Sequence, residues 1–388
     1  MVGWLFALLP VASLTGWYLA RKGRDFGLPD LTNKLHSDYF LGLNHLINEE
    51  PDKAVDIFIR LVEVDSDTVE THLALGSLFR RRGEVDRAIR IHQNIIARPS
   101  LAKNQRIQAM QSLGLDYLKA GVLDRAENIF QELVSVGADP KQNFVHLLNI
   151  YQQQKNWESA IKTAQKLEAL VAKSQKKNIA HYYCELAETA FQKSDWDATK
   201  KYLKQAVNSD KNSARTSLLL GKIAMKKNDF KSAIKHFQKV KSQDPDYLSE
   251  AIPLLIQCYA YLNNESDLVE YLRECLDEYP RISIVLALAE RLECTEGSKA
   301  AIEFIAQQIH TNSSLRGLER LIDLYLANSM GDTREKLGLL HDLVKQLLSN
   351  KPAYLCSGCG YTGNTLLWCC PGCKQWSSLR PIHGLEGD

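Results

Sequence analysis

The sequence predicts an all-α fold: a stack of short helical pairs, preceded by an apolar amino-terminal segment and followed by a small metal-binding ribbon. Three observations lead to this prediction. Small and apolar residues recur with a period of 34 along much of the chain. The first 20 residues include no charged side chain. Five of the nine cysteines fall between Cys356 and Cys373.

Composition narrows the class of protein. The chain has 388 residues, of which 45% are hydrophobic and 24% charged, as is usual for a folded protein. This length exceeds what a single compact core supports but suits an array of repeats. A formal net charge of +2 argues against nucleic acid as the main ligand, because phosphate binding needs a basic excess. We find no acid–base pair, activated nucleophile or phosphate-binding loop, so we predict that the protein is not an enzyme.

The 34-residue period defines the repeat. Gly42 and Gly76 are separated by 34 residues, and so are Ala54 and Ala88. This spacing, with two helices per unit, is typical of tetratricopeptide repeats. The sequence therefore predicts a tetratricopeptide-repeat superhelix over residues 36–350, with about eight or nine helical pairs, the last of them degenerate.

Some units depart from the repeat pattern at positions where helices meet. The third unit matches most fully, with Gly114 and Phe130 at the expected places. The second unit has His92 where the pattern has an aromatic residue, and the seventh has Leu268 where it has a small one. We expect all these positions to pack inside the array rather than to contact partners.

Stacked helical pairs present an extended concave face, which binds segments of other proteins. Contact residues are expected among the polar side chains on the first helix of each pair. The candidates by spacing are Arg80, Arg81, Asn149, Gln152, Lys222 and Lys226. For each of them the alternative is an ordinary solvated side chain. The sequence leaves open whether the array forms a homodimer.

Residues 1–20 are predicted to be a transmembrane anchor, because about 20 apolar residues cross a bilayer as a helix. Arg21, Lys22 and Arg24 follow at the start of a basic juxtamembrane linker over 21–35. Positive charge on this side predicts that the rest of the chain is cytoplasmic. The alternative is a cleaved signal peptide, which would have its positive charge before the apolar run.

Residues 351–388 are predicted to be a metal-binding domain. Cys356 and Cys359 make one Cys-x2-Cys pair, and Cys370 and Cys373 make another. Two such pairs complete a tetrahedral site of four thiolates. We predict one structural metal ion there, with zinc preferred over iron, since both accept four thiolates. Disulfides and a redox-active Cys-x-x-Cys are the alternatives.

The remaining cysteines and aromatic residues allow further expectations. Cys369 directly precedes the second pair and is either a spare sulfur or a reactive thiol. Five large side chains are expected to form a miniature core in the domain, namely Tyr354, Tyr361, Leu367, Trp368 and Trp376. Four scattered cysteines are expected to be buried as small apolar residues, namely Cys184, Cys258, Cys275 and Cys294.

The two Cys-x2-Cys pairs look like the knuckles of rubredoxins and zinc ribbons. In rubredoxins the stretch between the knuckles is longer and a glycine follows the second one, whereas here Lys374 follows it. This difference argues against electron transfer. A closed site of four thiolates also leaves no open position for hydrolytic chemistry.

Together, these features resemble one family across essentially the whole chain. The stretches that carry the resemblance include LLPVASLTGWYLARK, GSLFRRRGEVDRAIRIHQ, AHYYCELA, DKNSAR and WCCPGCKQWSSLRPIHGL. They are similar to the lipopolysaccharide assembly protein B family of Gram-negative bacteria. The resemblance implies the same four metal ligands, Cys356, Cys359, Cys370 and Cys373. It also places Cys369 where the family has histidine, which leaves sulfur exchange at the site open.

The resemblance implies a single-pass protein of the bacterial inner membrane with its bulk on the cytoplasmic side. It implies an adaptor that regulates lipopolysaccharide (lipid A) biosynthesis by helping a membrane ATP-dependent metalloprotease to degrade the committed-step UDP-acyl-N-acetylglucosamine deacetylase. An inner-membrane protein that senses lipopolysaccharide is a further implied partner. Two alternatives stay open: a scaffold for lipopolysaccharide enzymes without proteolysis, and a redox carrier or sensor that uses the four-cysteine site.

Overall fold

The computed structural model describes residues 15, 17–18, 40–42, 44–45, 48, 50–64, 68–171, 174–349 and 351–388. The predicted anchor, 1–20, lies outside these ranges except for three residues, and the predicted linker, 21–35, lies outside them entirely. Within the described ranges, no helix is both long and apolar enough to cross a membrane. The chain divides into two compact units, residues 1–156 and 157–388.

Both units are helical in the part of the chain that the structure describes. The helices of the first unit are α1 (Pro51–Val64), α2 (Val69–Arg82), α3 (Val85–Ile96), α4 (Lys103–Ala120), α5 (Leu123–Ser135) and α6 (Pro140–Gln153). Those of the second are α7 (Trp157–Leu170), α8 (Lys176–Gln192), α9 (Trp196–Ser209), α10 (Ala214–Lys226), α11 (Phe230–Gln243), α12 (Leu248–Tyr261), α13 (Glu265–Glu278), α14 (Ile282–Glu296), α15 (Ser298–Thr311), α16 (Leu315–Ala327) and α17 (Asp332–Ser349). The prediction of an all-α repeat architecture is thereby confirmed.

The recurring glycines allow the two helices of a pair to approach closely. A Cβ atom added at Gly114 of α4 would lie 2.8 Å from the Phe130 ring of α5. At Gly221 of α10 the corresponding distance to the Phe237 ring of α11 is 2.3 Å. Both aromatic rings are almost fully buried. The 34-residue period therefore records a packing contact, in which the absent side chain of glycine makes room for a ring.

His92 fills the aromatic position of the second unit and brings a polar network into the core. Its ring lies so close to Gly76 that an added Cβ would be 2.5 Å from Nε2. Its Nδ1 contacts the carboxylate of Asp116 on α4, and both side chains are fully buried. Arg80 Nη1 donates to Asp116 Oδ1 at 2.7 Å. A buried imidazole needs a polar partner, and the next helical pair provides one.

The second unit contains the less regular pairs. Leu268 of α13, at the position of a small residue, is fully buried. The two helices of this pair, α12 and α13, pack less closely than the two helices of the other pairs in this unit. The larger side chain explains this, because the distance between packed helices follows the size of the residues between them. Three of the four scattered cysteines are buried as predicted, but Cys294 near the end of α14 is exposed, so that expectation was wrong for it.

A small antiparallel sheet follows the last helix. Its strands are β1 (Tyr354–Cys356), β2 (Thr362–Gly363) and β3 (Leu379–Pro381), in the spatial order β2-β1-β3. Leu355 faces Thr362 on one side and Arg380 on the other. We call residues 351–388 the ribbon. The central strand β1 leads directly into the first Cys-x2-Cys pair, and β3 follows the second.

Candidate metal centre

The first Cys-x2-Cys pair lies in a tight turn, or knuckle, held by its own backbone. The Cys356 amide donates to the Tyr361 carbonyl at 2.7 Å, and the Gly360 amide donates to the Cys356 carbonyl at 3.0 Å. Gly360 has a φ of 75°, in the left-handed region that glycine adopts without strain. The turn therefore brings the sulfurs of Cys356 and Cys359 to one side, with the Gly358 amide directed at the Cys356 sulfur.

The second knuckle repeats this pattern. The Cys370 amide donates to the Gln375 carbonyl at 2.9 Å, and the Lys374 amide donates to the Cys370 carbonyl at 2.9 Å. Lys374 has a φ of 60°, so it adopts the same left-handed conformation as the glycine of the first knuckle. The second knuckle, with lysine in place of glycine, thus has the same backbone conformation as the first. The lysine at this position therefore gives no structural support to the sequence-based argument against electron transfer.

The two knuckles bring four sulfurs together. The Sγ atoms of Cys356, Cys359, Cys370 and Cys373 all lie within 4.8 Å of one another. Cys356 Sγ and Cys373 Sγ are 3.6 Å apart, as are Cys359 Sγ and Cys370 Sγ. A tetrahedral zinc site with bonds of about 2.3 Å has sulfur–sulfur edges of about 3.8 Å. The donor set and its spacing therefore fit one metal ion.

Hydrogen bonds favour the charged form of one ligand. Ser378 Oγ lies 3.3 Å from Cys356 Sγ, and the Gly358 amide donates to the same sulfur at 3.4 Å. The contact with Ser378, supported by the amide, lowers the pKa of the Cys356 thiol to about 6. A thiolate is the form that binds metal, so these contacts prepare the site. Little room remains beside the sulfurs, since a Cβ at Gly372 would lie 3.2 Å from Cys359 Sγ.

Cys369 lies outside this cluster of four sulfurs. Its backbone forms an isolated bridge with Trp376, and its Sγ lies 3.6 Å from the Lys374 carbonyl oxygen. Burial raises the pKa of the Cys369 thiol, which disfavours the reactive thiolate. Its position supports the expectation of a spare sulfur rather than a reactive thiol.

The ribbon packs on the helices of its own unit through Trp376. This indole stacks on His181 of α8, with ring centroids 5.0 Å apart. It meets Trp157 and Tyr182 edge-on, at centroid distances of 5.9 and 5.8 Å. Ser377 adds a hydrogen bond, since its Oγ lies 2.8 Å from His181 Nε2. Trp376, which closely follows the second knuckle in the sequence, thus packs in an aromatic cluster formed by the helices.

A buried arginine contacts both tryptophans of the ribbon. The Arg215 guanidinium of α10 lies 5.7 Å from the Trp368 ring centre and 5.6 Å from that of Trp376. Its Nη2 donates to Glu185 at 2.7 Å and to Glu188 at 3.0 Å. Only 2% of this residue is exposed. The two carboxylates compensate its charge, while the rings cover its faces.

Polar contacts fix the opposite side of the ribbon. Tyr247, just before α12, donates its hydroxyl hydrogen to the Leu379 carbonyl at 3.0 Å. Arg380 of β3 and Arg281 at the start of α14 both donate to Asp246. Although burial acts in the other direction, these hydrogen bonds lower the pKa of Asp246. The ribbon therefore contacts α8, α10 and α12, the first helices of three successive pairs, and also Trp157 of α7.

Of the five residues expected to form a miniature core of the ribbon, only Tyr354 packs against its buried cluster. The buried apolar cluster of the ribbon is Cys356, Cys370 and Leu379, and Tyr354 and Cys373 pack against it, so the knuckles, β1 and β3 form the interior. Trp368 and Trp376 pack on the helices instead, and Tyr361 and Leu367 are exposed. A ribbon of this size has too little volume to enclose two indoles.

The structure places the predicted partner-binding residues on several surfaces. Arg81 and Asn149 are exposed in the first unit, as are Lys222 and Lys226 in the second. Gln152 is half-buried and donates to the Leu148 carbonyl at 3.3 Å. Arg80 is engaged within the first unit by Asp116.

Sequence reasoning missed the residues that hold the ribbon. His181 and Arg215 lie in the stretches AHYYCELA and DKNSAR, which carry the family resemblance. The signal was therefore present, although the burial of this histidine and this arginine is visible only in the structure. Their partners in the ribbon follow more than 150 residues later, and only the folded chain brings the two together.

Fold and site define the class: a tetratricopeptide-repeat protein with a carboxy-terminal rubredoxin-like site of four cysteines. Family models agree, since tetratricopeptide repeat models match residues 71–103 and 190–252, and a rubredoxin metal binding domain model matches residues 354–381.

Full-length relatives define the family. Lipopolysaccharide assembly protein B of Escherichia coli strain K12 is 40% identical over 388 residues, which cover 100% of both chains. The protein of the same name from Haemophilus influenzae is 34% identical over 395 residues, again covering 100% of both. The chain belongs to the lipopolysaccharide assembly protein B family. Among solved structures, a chain of the Naa15/Naa10 complex with HypK-THB aligns over 82% of this chain and 48% of its own, with 11% identity and a TM-score of 0.42.

Proposed function

We propose that this protein is an inner-membrane adaptor that regulates lipopolysaccharide biosynthesis. One observation carries the proposal: the similarity to lipopolysaccharide assembly protein B of E. coli extends over every part of both chains at 40% identity. In this role the protein presents the committed-step deacetylase of lipid A synthesis to a membrane ATP-dependent metalloprotease. A lipopolysaccharide-sensing inner-membrane protein is the proposed third partner.

The physical features of the chain support an adaptor. Arrays of tetratricopeptide pairs bind protein segments on the face formed by their first helices. In the second unit, the ribbon already covers part of that face on α8 and α10. The first helices α2, α4 and α6 of the first unit are therefore the proposed binding surface for the deacetylase. Arg81 and Asn149 lie exposed on two of them.

Residues 1–20 are the proposed membrane anchor. The support is their lack of charge and the basic residues Arg21, Lys22 and Arg24 that follow. An anchor would keep the binding surface close to a membrane protease and so raise its effective concentration there. The bulk of the chain would then lie on the cytoplasmic side.

The test follows the lifetime of the deacetylase in cells. Depletion of this protein should lengthen the half-life of the deacetylase, and full-length protein should restore it. A chain without residues 1–20, expressed to the same level, should fail to restore it. A deacetylase lifetime that ignores depletion would refute the proteolytic role and favour a scaffold. Full rescue by the truncated chain would refute the anchor alone.

We propose zinc as a structural metal of the ribbon. Four thiolates leave no open coordination position, and both tryptophans next to the second knuckle are engaged with helices. Elemental analysis of the purified protein should find one zinc ion per chain. Its absorption spectrum should show no band in the visible range. Because Cys359 is exposed, a redox centre is the competing interpretation. Iron with a reversible, visible-absorbing couple would establish it and refute the zinc proposal.

A further inference from the structure

A groove crosses the second unit on the side of α13, α14 and α15. Its volume is about 950 Å³. The apolar residues that line it come from all three helices, namely Val269, Leu276, Leu288, Leu292 and Phe304. Four of these five are only half-buried, so the floor of the groove is an accessible apolar surface. The ribbon contributes no residue to it.

The helix α13, which forms one wall of the groove, belongs to the irregular seventh pair. Leu268 stands at the position of a small residue on α13, and Ile256 stands at the glycine position of α12. Two large side chains at the contact hold the helices apart, because the distance between packed helices follows the size of the residues between them. The loose packing of α13 on α12 agrees with this. The residues of α13 from Glu265 to Asp277 form a wall of the groove together with α14 and α15.

The rim of the groove has an acidic excess. Acidic residues lining it are Glu265, Glu270, Glu274, Asp277 and Glu296, and basic ones are Arg273 and Arg291. Arg291 is already engaged, since it lies 3.8 Å from Glu265 and 3.2 Å from Glu290. The potential over the apolar floor is therefore negative, and a positively charged ligand is favoured.

We propose that this groove binds a basic amphipathic helix of a partner protein. An apolar stripe on such a helix would cover the floor, while its lysines and arginines would meet the acidic rim. The wall from Glu265 to Asp277 is about 18 Å long at 1.5 Å per residue, which suits about three helical turns. Helices alone line the groove, so no strand edge is available there for an extended peptide. The proposal is independent of the proposed role in lipopolysaccharide synthesis.

The test uses a defined probe and the full-length chain in a neutral detergent. The probe is a fluorescein-labelled peptide of leucine and lysine with leucines at i, i+3, i+4 and i+7. A second peptide has glutamate in place of lysine. Fluorescence anisotropy should show binding of the basic peptide and none of the acidic one. The double variant Glu270→Lys/Glu274→Lys should weaken binding at least about tenfold, because it reverses the charge of one wall.

Two further variants keep the proposal open to refutation. Asp86→Lys/Glu132→Lys makes the same change of net charge on exposed residues of α3 and α5, and should leave binding unchanged. Equal weakening by this control would mean unspecific charge attraction and would overturn the proposal.

Val269→Asn should also weaken binding, because it places an amide on the apolar floor. Unchanged binding would place the peptide elsewhere. A homodimer that the double variant dissociates would show that a second copy occupies the groove, which also overturns the proposal.

Discussion

Replacing Trp376 by alanine tests whether aromatic contacts hold the ribbon on the helices. The indole stacks on His181 at 5.0 Å and meets two further rings edge-on at 5.8 and 5.9 Å. Truncating a buried tryptophan costs about 3–5 kcal/mol, and the lower end applies because Trp376 is only partly buried. A loss of about 3 kcal/mol shifts the balance from docked toward undocked ribbon about a hundredfold.

The assay is the release of bound metal from the full-length chain to a coloured chelator. Because undocking removes the contacts that restrict opening of the second knuckle, the release rate of Trp376→Ala should rise by up to about a hundredfold. Trp196→Ala is the matched control, since Trp196 packs on Phe191 at 5.5 Å and beneath Lys227. The control should release metal at the original rate. Equal rates for all three proteins would refute the argument that aromatic packing holds the ribbon.

Three other outcomes are expected. Cys373→Ser should lose metal and melt the ribbon, whereas Cys369→Ser should keep full metal content, as elemental analysis will show. Gly76→Ala should lower the apparent unfolding temperature, because its Cβ would lie 2.5 Å from a buried imidazole, while Gly338→Ala, with no atom within 4 Å, should raise it slightly. Burial lowers the pKa of His181 to about 3 from 6.5, so the undocked chain gains a proton as the pH falls below 6.5. Docking should then weaken by about 1.4 kcal/mol at about pH 5.5, and metal release from His181→Phe should depend less on pH between these values.

The sequence-based prediction was accurate where one short stretch contains the physical cause. A Cys-x2-Cys turn fixes its own geometry through hydrogen bonds within six residues, so Cys356 and Cys370 could be paired with their partners from spacing alone. The repeat could be recognised for a similar reason. Gly114 and Phe130 belong to adjacent helices, and their contact recurs in each regular pair.

Contacts between distant segments could not be predicted in this way. His181 and Ser377 are 196 residues apart, yet their side chains share a hydrogen bond. In the sequence, Arg215 looks like an ordinary polar residue of its helix, and only the structure shows that it contacts two indoles. Tryptophans in a short metal-binding segment suggest a local core, and only the packed structure reveals that they belong to a larger one. The buried contact between His92 and Asp116, which joins two helical pairs, was missed for the same reason.

Metal binding and docking should stabilise each other. The ribbon is too small to maintain its fold by burial alone, so metal binding supplies its folding free energy. The knuckle that the metal closes also fixes the backbone before Trp376 and Ser377, the two residues that reach α8. Docking in turn covers these side chains and restricts opening of the knuckle. Loss of the metal should therefore uncover the inner face of α8 and α10, which the ribbon otherwise occupies.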